Sequence, residues 1–484
     1  MKEIRHFINN EFVTSEKHFD DINPANGEVI AKVYEGGESE VNAAVAAARA
    51  ALEGPWGHMP LNERMALLHN VADGINLRFD DFLEAECMDT GKPKGMASHI
   101  DIPRGASNFK VFADAYKSVP TESFMLDTPD GNGALNYSQR KPKGVIAVIS
   151  PWNLPLLLMT WKVGPALACG NTVVVKPSEE TPHTTTMLGE VMKDCGVPAG
   201  VFNVVHGFGP NSAGSFLTGH PDIDGITFTG ETRTGVAIVK NSANYLRHVS
   251  FELGGKNPAV VFADCDMEKA IEGTVRSVFA NCGQVCLGTE RVYVERPIFN
   301  EFLMRLKDAA ENLKLGKWDE EGVDFGPLIS KEHQNKVLSY YTKAEELGAN
   351  VVTGGGVPTM QPELQNGNWV QPTIWTGLSQ DSAIVQEEIF GPCCHIMPFD
   401  TEEEAVRLAN DTQYGLAAAI WTENLSKAHS VAAKIDAGIV WVNSWFLRDL
   451  RTPFGGMKNS GIGREGGVHS LEFYTELKNI CVKL

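Results

Sequence analysis

Short apolar, β-branched runs alternate with helical patterns from about residue 144 to about residue 262. GVIAVIS, NTVVVKPS, VFNVVHG, GITFTG, HVSFEL and PAVVFAD are bounded by Gly, Pro or Asn, which predicts strands. TPHTTTMLGEVMKDCG predicts an intervening helix, with Thr181 as N-cap, Pro182 at the first helical position and Gly196 beyond the end. Strand, helix and strand at this pitch build parallel βαβ units. The expected fold is therefore α/β, a doubly wound sheet that receives ligands at the carboxyl ends of its strands. Ahead of it, VNAAVAAARAALEG and LNERMALLHNVADGINLRFDDFLEAECMDTG predict a largely helical region packed over the sheet. From about 265 to 450, RVYVERP, ANVVTGG, AAAIWTEN and GIVWVNS alternate with FNEFLMRLKDAAENL, HQNKVLSYYTKAEELG and LSKAHSVAAKIDAG, predicting a second α/β domain. Residues 120–142 are polar and turn-rich before the strand-like GALNYSQRKPKG. LEFYTELKNICVKL ends the chain in a β-type pattern, and neither piece has a place in either domain.

Charge and cysteine usage narrow the function classes. The chain has 61 acidic against 42 basic residues, a formal charge of −19 that opposes phosphate backbones and anionic lipid. Neither nucleic acid nor membrane is expected as a partner. MKEIRHFINNEFV lacks an apolar signal core, and two prolines and an Asn interrupt GVIAVISPWNLPLLLM, so a cytoplasmic protein is expected. Nine cysteines without CxxC imply reduced thiols. HExxH is absent and His183, His206, His220 and His248 stand singly, so no metal is expected.

FANCGQVCLGTE, residues 279–290, sets two thiols four residues apart. Ile271, Val275, Val278 and Cys282 fall on one face of a helix beginning after Asp266, which places Cys282 on a buried stripe ended by Gly283. Cys286 follows the break between glycines that allow close ligand approach, and it is the better candidate nucleophile. Glu252 ends an apolar strand before Gly254 and Gly255. It reads either as a strand-end cap or as a general base whose pKa is raised by its surroundings. Pro151 and Pro155 fix a loop in which the Asn153 amide could donate to an oxyanion; alone, this would be only a rigid loop with a surface Asn. Lys176 and Glu179 at one strand end could grip ribose hydroxyls, and the acid would repel a 2′-phosphate, favouring NAD over NADP. Gly230 and Gly235 bound a turn whose helix N–H groups could face a pyrophosphate, a weak motif by itself.

PWNLPL, KPSE, FTGETRTG, FELGGKNP, GQVCLG, EEIFGP and TPFGGMKNSGIGRE occur in the order found in the aldehyde dehydrogenase superfamily, and the resemblance covers nearly the whole chain. It implies a Rossmann-like NAD-binding domain over 1–119 and 143–253, an α/β catalytic domain over 254–454, and a small oligomerisation sheet from 120–142 and 470–484. It further implies Cys286 as nucleophile, Glu252 as general base, and Asn153 with the Cys286 N–H as oxyanion donors. Trp152, Lys176, Glu179, Gly230, Gly235, Glu388 and Phe390 become NAD-binding residues, with Glu388 at the nicotinamide ribose and Phe390 at the ring. The sequence departs from the family's FTGST at Glu231, an acid that should point outward or pair with Arg233. A homodimer or homotetramer is implied, because a β-type terminus needs a partner strand.

The residues before TPFGG are unusual for a substrate mouth. WFLRDLR, residues 445–451, is basic, and HIDIPR brings Arg104 into the helical region. Arg104 and Arg448 could clamp the carboxylate of a short acid-aldehyde, although Arg448 or Arg451 could instead pair with Asp449 at the surface. SHIDIPRGASNF, SPWNLPLLLMTWKVGPALACGN and VNSWFLRDLR resemble the dehydrogenases of 2-hydroxymuconate and 2-aminomuconate semialdehydes, which act after aromatic ring cleavage. This resemblance implies a planar carboxylated semialdehyde as substrate, with Leu154 leaving room for it and Trp161 beside it. A Cys–His hydrolase working without nicotinamide, or a non-catalytic role, are the competing readings.

Overall fold

A computed structural model describes residues 2–484. The larger sheet has eight strands. Its parallel centre runs His248–Glu252, Gly225–Thr229, Val145–Ile149, Thr172–Lys176 and Phe202–Val204. Antiparallel strands close both edges: Gly461–Ile462 beside His248–Glu252, and His6–Ile8 with Glu11–Val13 at the other end. Successive side chains of the central strands enter opposite cores. Ile146, Val148, Val173 and Val175 join one helical layer, while Val145, Ala147, Ile149 and Val174 join the other. The strand order reverses at Val145–Ile149, so the loop following Ile149 opens at the switch point where doubly wound sheets bind ligands.

The second sheet has seven strands ordered Asn350–Thr353, Thr373–Thr376, Cys393–Phe399, Thr289–Glu295, Asn257–Val261, Ala417–Trp421 and Ile439–Val442. The chain crosses from the first sheet to the second within Leu253–Lys256, directly after Glu252. It returns after Val442 through a strap that includes the Phe454–Glu465 bridge and ends by pairing Gly461 and Ile462 with Glu252 and Phe251. A three-stranded antiparallel sheet joins Thr475–Lys483, Ala134–Pro142 and Ser123–Leu126, and Phe124, Met125 and Leu126 lie exposed on its edge strand. Among the described residues, no helix is long and apolar enough to cross a membrane.

Three local expectations need correction. Helix His183–Asp194 has Pro182 as its N-cap, and the buried Thr181 hydroxyl has no partner. Asp89 displaces the local cap: its carboxylate takes the His183 N–H at 3.1 Å and the His183 ring at 2.6 Å. The His183 imidazole, which stands alone in the sequence, lies between Asp89 and Asp21, 3.1 Å from the latter. Burial would lower its pKa, but the two carboxylates raise it to about 9. The helix after Asp266 ends at Phe279, so Cys282 does not continue its stripe. Asn281 and Cys282 take left-handed φ values of 52° and 57°, and Cys282 is buried in a different cluster, with Tyr341 and Cys393. Residues 470–474 belong to helix Gly467–Tyr474, whose Leu471 and Tyr474 share a buried face. Residues 2–35 also form strands, of which Val29–Glu35 buries Ala31 and Val33 in alternation while Lys17–Ile22 buries only Asp21.

Candidate active site

The loop after Ile149 turns into helix Pro155–Ala168 at Pro155, whose ring suits the first helical position. Asn153 is buried in this loop. One amide hydrogen of Nδ2 goes to the Gln284 carbonyl at 3.0 Å, leaving the other uncommitted, and its own carbonyl accepts from Lys92 Nζ at 2.8 Å and Asn281 Nδ2 at 3.1 Å. Asn153 therefore reaches across to the loop that carries Cys286. Gly283 turns that loop at φ 70°, and a Cβ there would strike the Gly391 carbonyl, so glycine brings the EEIFGP turn against it. Asn257 Nδ2 donates to the carbonyls of Cys286 at 2.7 Å and Gly288 at 2.8 Å, and Trp445 Nε1 donates to Leu287 at 2.9 Å. These bonds tie the loop to its neighbours although it has no regular structure.

The Cys286 thiol is partly exposed. Burial pushes its pKa up to about 12, the nearby Glu252 and Glu388 charges add to this, and Arg448 opposes it. Glu252 is buried and neither carboxyl oxygen has a hydrogen-bond partner. Burial first, then Glu465, holds it well above the usual carboxylate range, against Lys162, Arg448 and Arg464. Lys162 stands inside an otherwise apolar helix and pairs with Glu465 at 2.7 Å.

On the expected cofactor side, Lys176 Nζ donates to Glu179 at 3.1 Å and to the Pro177 carbonyl at 2.8 Å. Gly230 donates its N–H to the Glu252 carbonyl at 3.0 Å, and Gly235 lets helix Thr232–Ser242 approach Leu253. Glu231 pairs with Arg233 and lies 3.7 Å from Lys336. Glu388 accepts the Gly255 N–H at 2.8 Å, and burial with the nearby Glu290 raises its pKa to about 7. Phe390 is held in a left-handed backbone, φ 63°, uncommon for a bulky residue. Glu290 accepts its N–H at 2.9 Å and His333 Nε2 donates to its carbonyl at 2.8 Å. The Trp152 ring lies 5.4 Å from Phe390 and 5.2 Å from His333.

At the other end are the arginines. Arg448 lies 4.3 Å over the Trp161 ring and 3.7 Å from the Phe454 ring, and burial with the neighbouring Arg104 pushes it down to about 9. In both Arg104 and Arg448 the Nε and Nη2 groups have no hydrogen-bond partner. Asp449 is taken by Arg451 at 2.6 Å, at the surface. The buried Leu154 packs with Leu157 and Leu158 beside Ile100 and Met96.

Glu252, Glu388 and Arg448 thus all bear on Cys286, and Asn153 is tied to the loop that carries it. Sequence reasoning missed Lys92, Asn257, Asn281, Glu290, His333 and the Lys162–Glu465 pair. Only Lys162 carried a signal, a charge within LLLMTWKVGPAL. The singled-out histidines are engaged elsewhere: His183 with Asp89, and His206 with Thr186 at 3.0 Å.

Comparison with known proteins places this geometry in context. The model of the aldehyde dehydrogenase family matches residues 12–480. The chain is 73% identical over 486 residues to a 2-hydroxymuconic semialdehyde dehydrogenase of Pseudomonas sp. (strain CF600), covering 100% of both chains. It is 57% identical over 484 residues to a 2-aminomuconic 6-semialdehyde dehydrogenase of Pseudomonas sp., covering 100% of this chain and 99% of that one. An NAD+ complex of an aldehyde dehydrogenase from Bacillus cereus superposes with a TM-score of 0.96 at 41% identity, covering 100% and 97% of the two chains.

Proposed function

The chain belongs to the aldehyde dehydrogenase family, and from that premise we propose that it oxidises 2-hydroxymuconate 6-semialdehyde to the dicarboxylate, with NAD as the hydride acceptor. The observation that carries the substrate is the neighbouring pair Arg104 and Arg448, unpartnered at Nε and Nη2, with Arg448 over Trp161 and its charge bearing on Cys286 and Glu252. Two guanidiniums without partners suit a carboxylate, and an indole face suits a planar conjugated chain. The 73% and 57% identities favour the hydroxy over the amino substrate.

The donor set fits NAD. The Lys176–Glu179 pair offers a cation and a carboxylate to a ribose diol and repels a 2′-phosphate; Glu388 and Phe390, with Trp152, would hold the nicotinamide end. When bound, NAD supplies the hydride acceptor that turns the aldehyde adduct into a Cys286 thioester. The residues of the chain do the rest. Cys286 rests as a thiol; its proton goes to a carboxyl of raised pKa, Glu252, and sulfur attacks the carbonyl carbon. The carbonyl π electrons move to oxygen, where Asn153 Nδ2 and the Cys286 N–H stabilise them. After oxidation, Glu252 first gives up the thiol proton to solvent, and the free carboxylate then takes a proton from water as the water oxygen adds to the thioester carbon. The C–S bond then breaks, giving carboxylate and restoring Cys286. The charges bearing on the thiol come from Glu252, Glu388 and Arg448, which argues against a Cys–His hydrolase.

The larger sheet would serve NAD and the second sheet the thiol chemistry. Exposed Phe124, Met125 and Leu126 favour a homodimer or homotetramer through the three-stranded sheet, and nine unpaired cysteines favour the cytoplasm. The deciding experiment follows NADH absorbance with NAD, the muconic semialdehyde and a neutral aldehyde of similar length. We expect kcat/KM to favour the carboxylated substrate by about 30-fold or more. Equal values would defeat the substrate reading, and no NADH with any aldehyde would defeat the chemistry.

A further inference from the structure

A buried charge cluster lies beneath the Asn153 loop, outside the residues given roles above. Lys92 stands just after helix Phe79–Thr90, past Gly91 at φ 70°, and its side chain is fully buried. Its Nζ donates to Asp101 Oδ2 at 2.6 Å and to the Asn153 carbonyl at 2.8 Å, with Glu86 Oε1 at 3.8 Å. Glu86 accepts the Leu156 N–H at 3.3 Å, so the same cluster grips Asn153 and the first turn of the helix after it. Asp101 ends a π-helical turn, Ala97–Asp101, that runs directly into helix Ile102–Lys117. A π turn adds a residue to the helical repeat and so rotates every side chain that follows it. Arg104 comes three residues after Asp101, on the same side of the helix.

We propose that Lys92 is a positioning residue shared by both ends of the site: it fixes the Asn153 loop where the oxyanion forms and, through Asp101, sets the π turn that aims Arg104 at the substrate carboxylate. This rests on the roles proposed for Asn153 and Arg104. Replacing the ammonium with a neutral chain leaves the Asn153 carbonyl to Asn281 alone and leaves Asp101 buried without its cation. A merely structural Lys92 would change the amount of active enzyme. A shared positioning residue changes acylation rate and substrate preference per active site.

The test uses full-length Lys92→Met, Asp101→Asn and Asn153→Ala. The rate of the NADH burst, normalised to its amplitude, is measured on the carboxylated semialdehyde and on a neutral aldehyde, with NAD affinity measured separately. Lys92→Met should slow the neutral-aldehyde burst by about 10-fold or more and cut the preference for the carboxylated substrate by about 5-fold, with NAD affinity within about two-fold of the parent. Asp101→Asn, which leaves Lys92 on Asn153, should lower the preference with a smaller effect on the neutral burst, and it remains informative if Lys92→Met does not fold. A parent-like burst rate in Lys92→Met, or parent-like preference in Asp101→Asn, overturns the proposal. If Asn153→Ala is slow at the same time, the function reading survives; a normal burst in Asn153→Ala overturns both.

Discussion

Around the proposed nucleophile, Asn153 is engaged through both its side-chain amide and its backbone carbonyl, and Asn257 holds the Cys286 carbonyl; at the proposed carboxylate end Arg104 and Arg448 keep guanidinium nitrogens that bond to nothing. The contrast separates two kinds of order. Groups that act on the aldehyde must already stand in place, because reorganising them during reaction would add to the barrier. An unpaired, largely buried guanidinium is instead unfavourable until an anion arrives, so the far end is completed by its ligand. On the proposed roles, shared chemistry and substrate choice would be carried by differently finished parts of the site.

That separation can be broken in graded steps. Cys286→Ala should remove dehydrogenase turnover by on the order of 10³-fold or more on every aldehyde; residual turnover near the parent rate would move the nucleophile elsewhere. Glu252→Gln should slow the NADH burst yet leave its amplitude at about one per site, while steady turnover drops by on the order of 10²-fold or more. Because burial holds the Glu252 carboxyl above its ordinary range, the basic form it needs appears only as pH rises past that range. Turnover should climb with pH in the parent, and this limb should be missing in Glu252→Gln; an identical profile would rule out the assignment. Arg448→Ala should lower kcat/KM for the carboxylated semialdehyde by about 30-fold, mostly through KM, and spare a neutral aldehyde. Equal losses on both substrates would merge the two ends into one. Smallest of all, Arg451→Ala should change neither substrate by more than about two-fold, since its partner Asp449 lies at the surface. A selective effect there would transfer the clamp to Arg451.

Much of the fold was legible because its central strands are buried on both faces and read as unbroken β-branched runs between turn residues. The opening strands of residues 2–35 were not legible. Most are only three to six residues long, and the edge strand Lys17–Ile22 buries only Asp21, a charge that makes sense only once His183 and Asp89 are beside it. Cys282 shows a different limit. Periodicity predicted its burial correctly but for the wrong reason, since nothing local announces that two non-glycine residues will turn left-handed after Phe279. At the proposed site, glycines and prolines marked the loops of Cys286, Glu252 and Asn153 as candidates, and their roles came from the family resemblance. Lys92, Asn257 and Glu290 act through distant backbone atoms, a relation no single sequence displays.

The strap from Val442 to Glu465 supplies Arg448 on its way out and Glu465 on its way back, and it is stitched to Glu252 by the Gly461–Ile462 pairing. Together with the short crossing at Leu253–Lys256, it laces the two sheets at two points, both within reach of the base. Heat cannot loosen one sheet and leave a working cleft on the other. Melting should be all-or-none across both sheets, with activity and secondary structure vanishing at the same temperature.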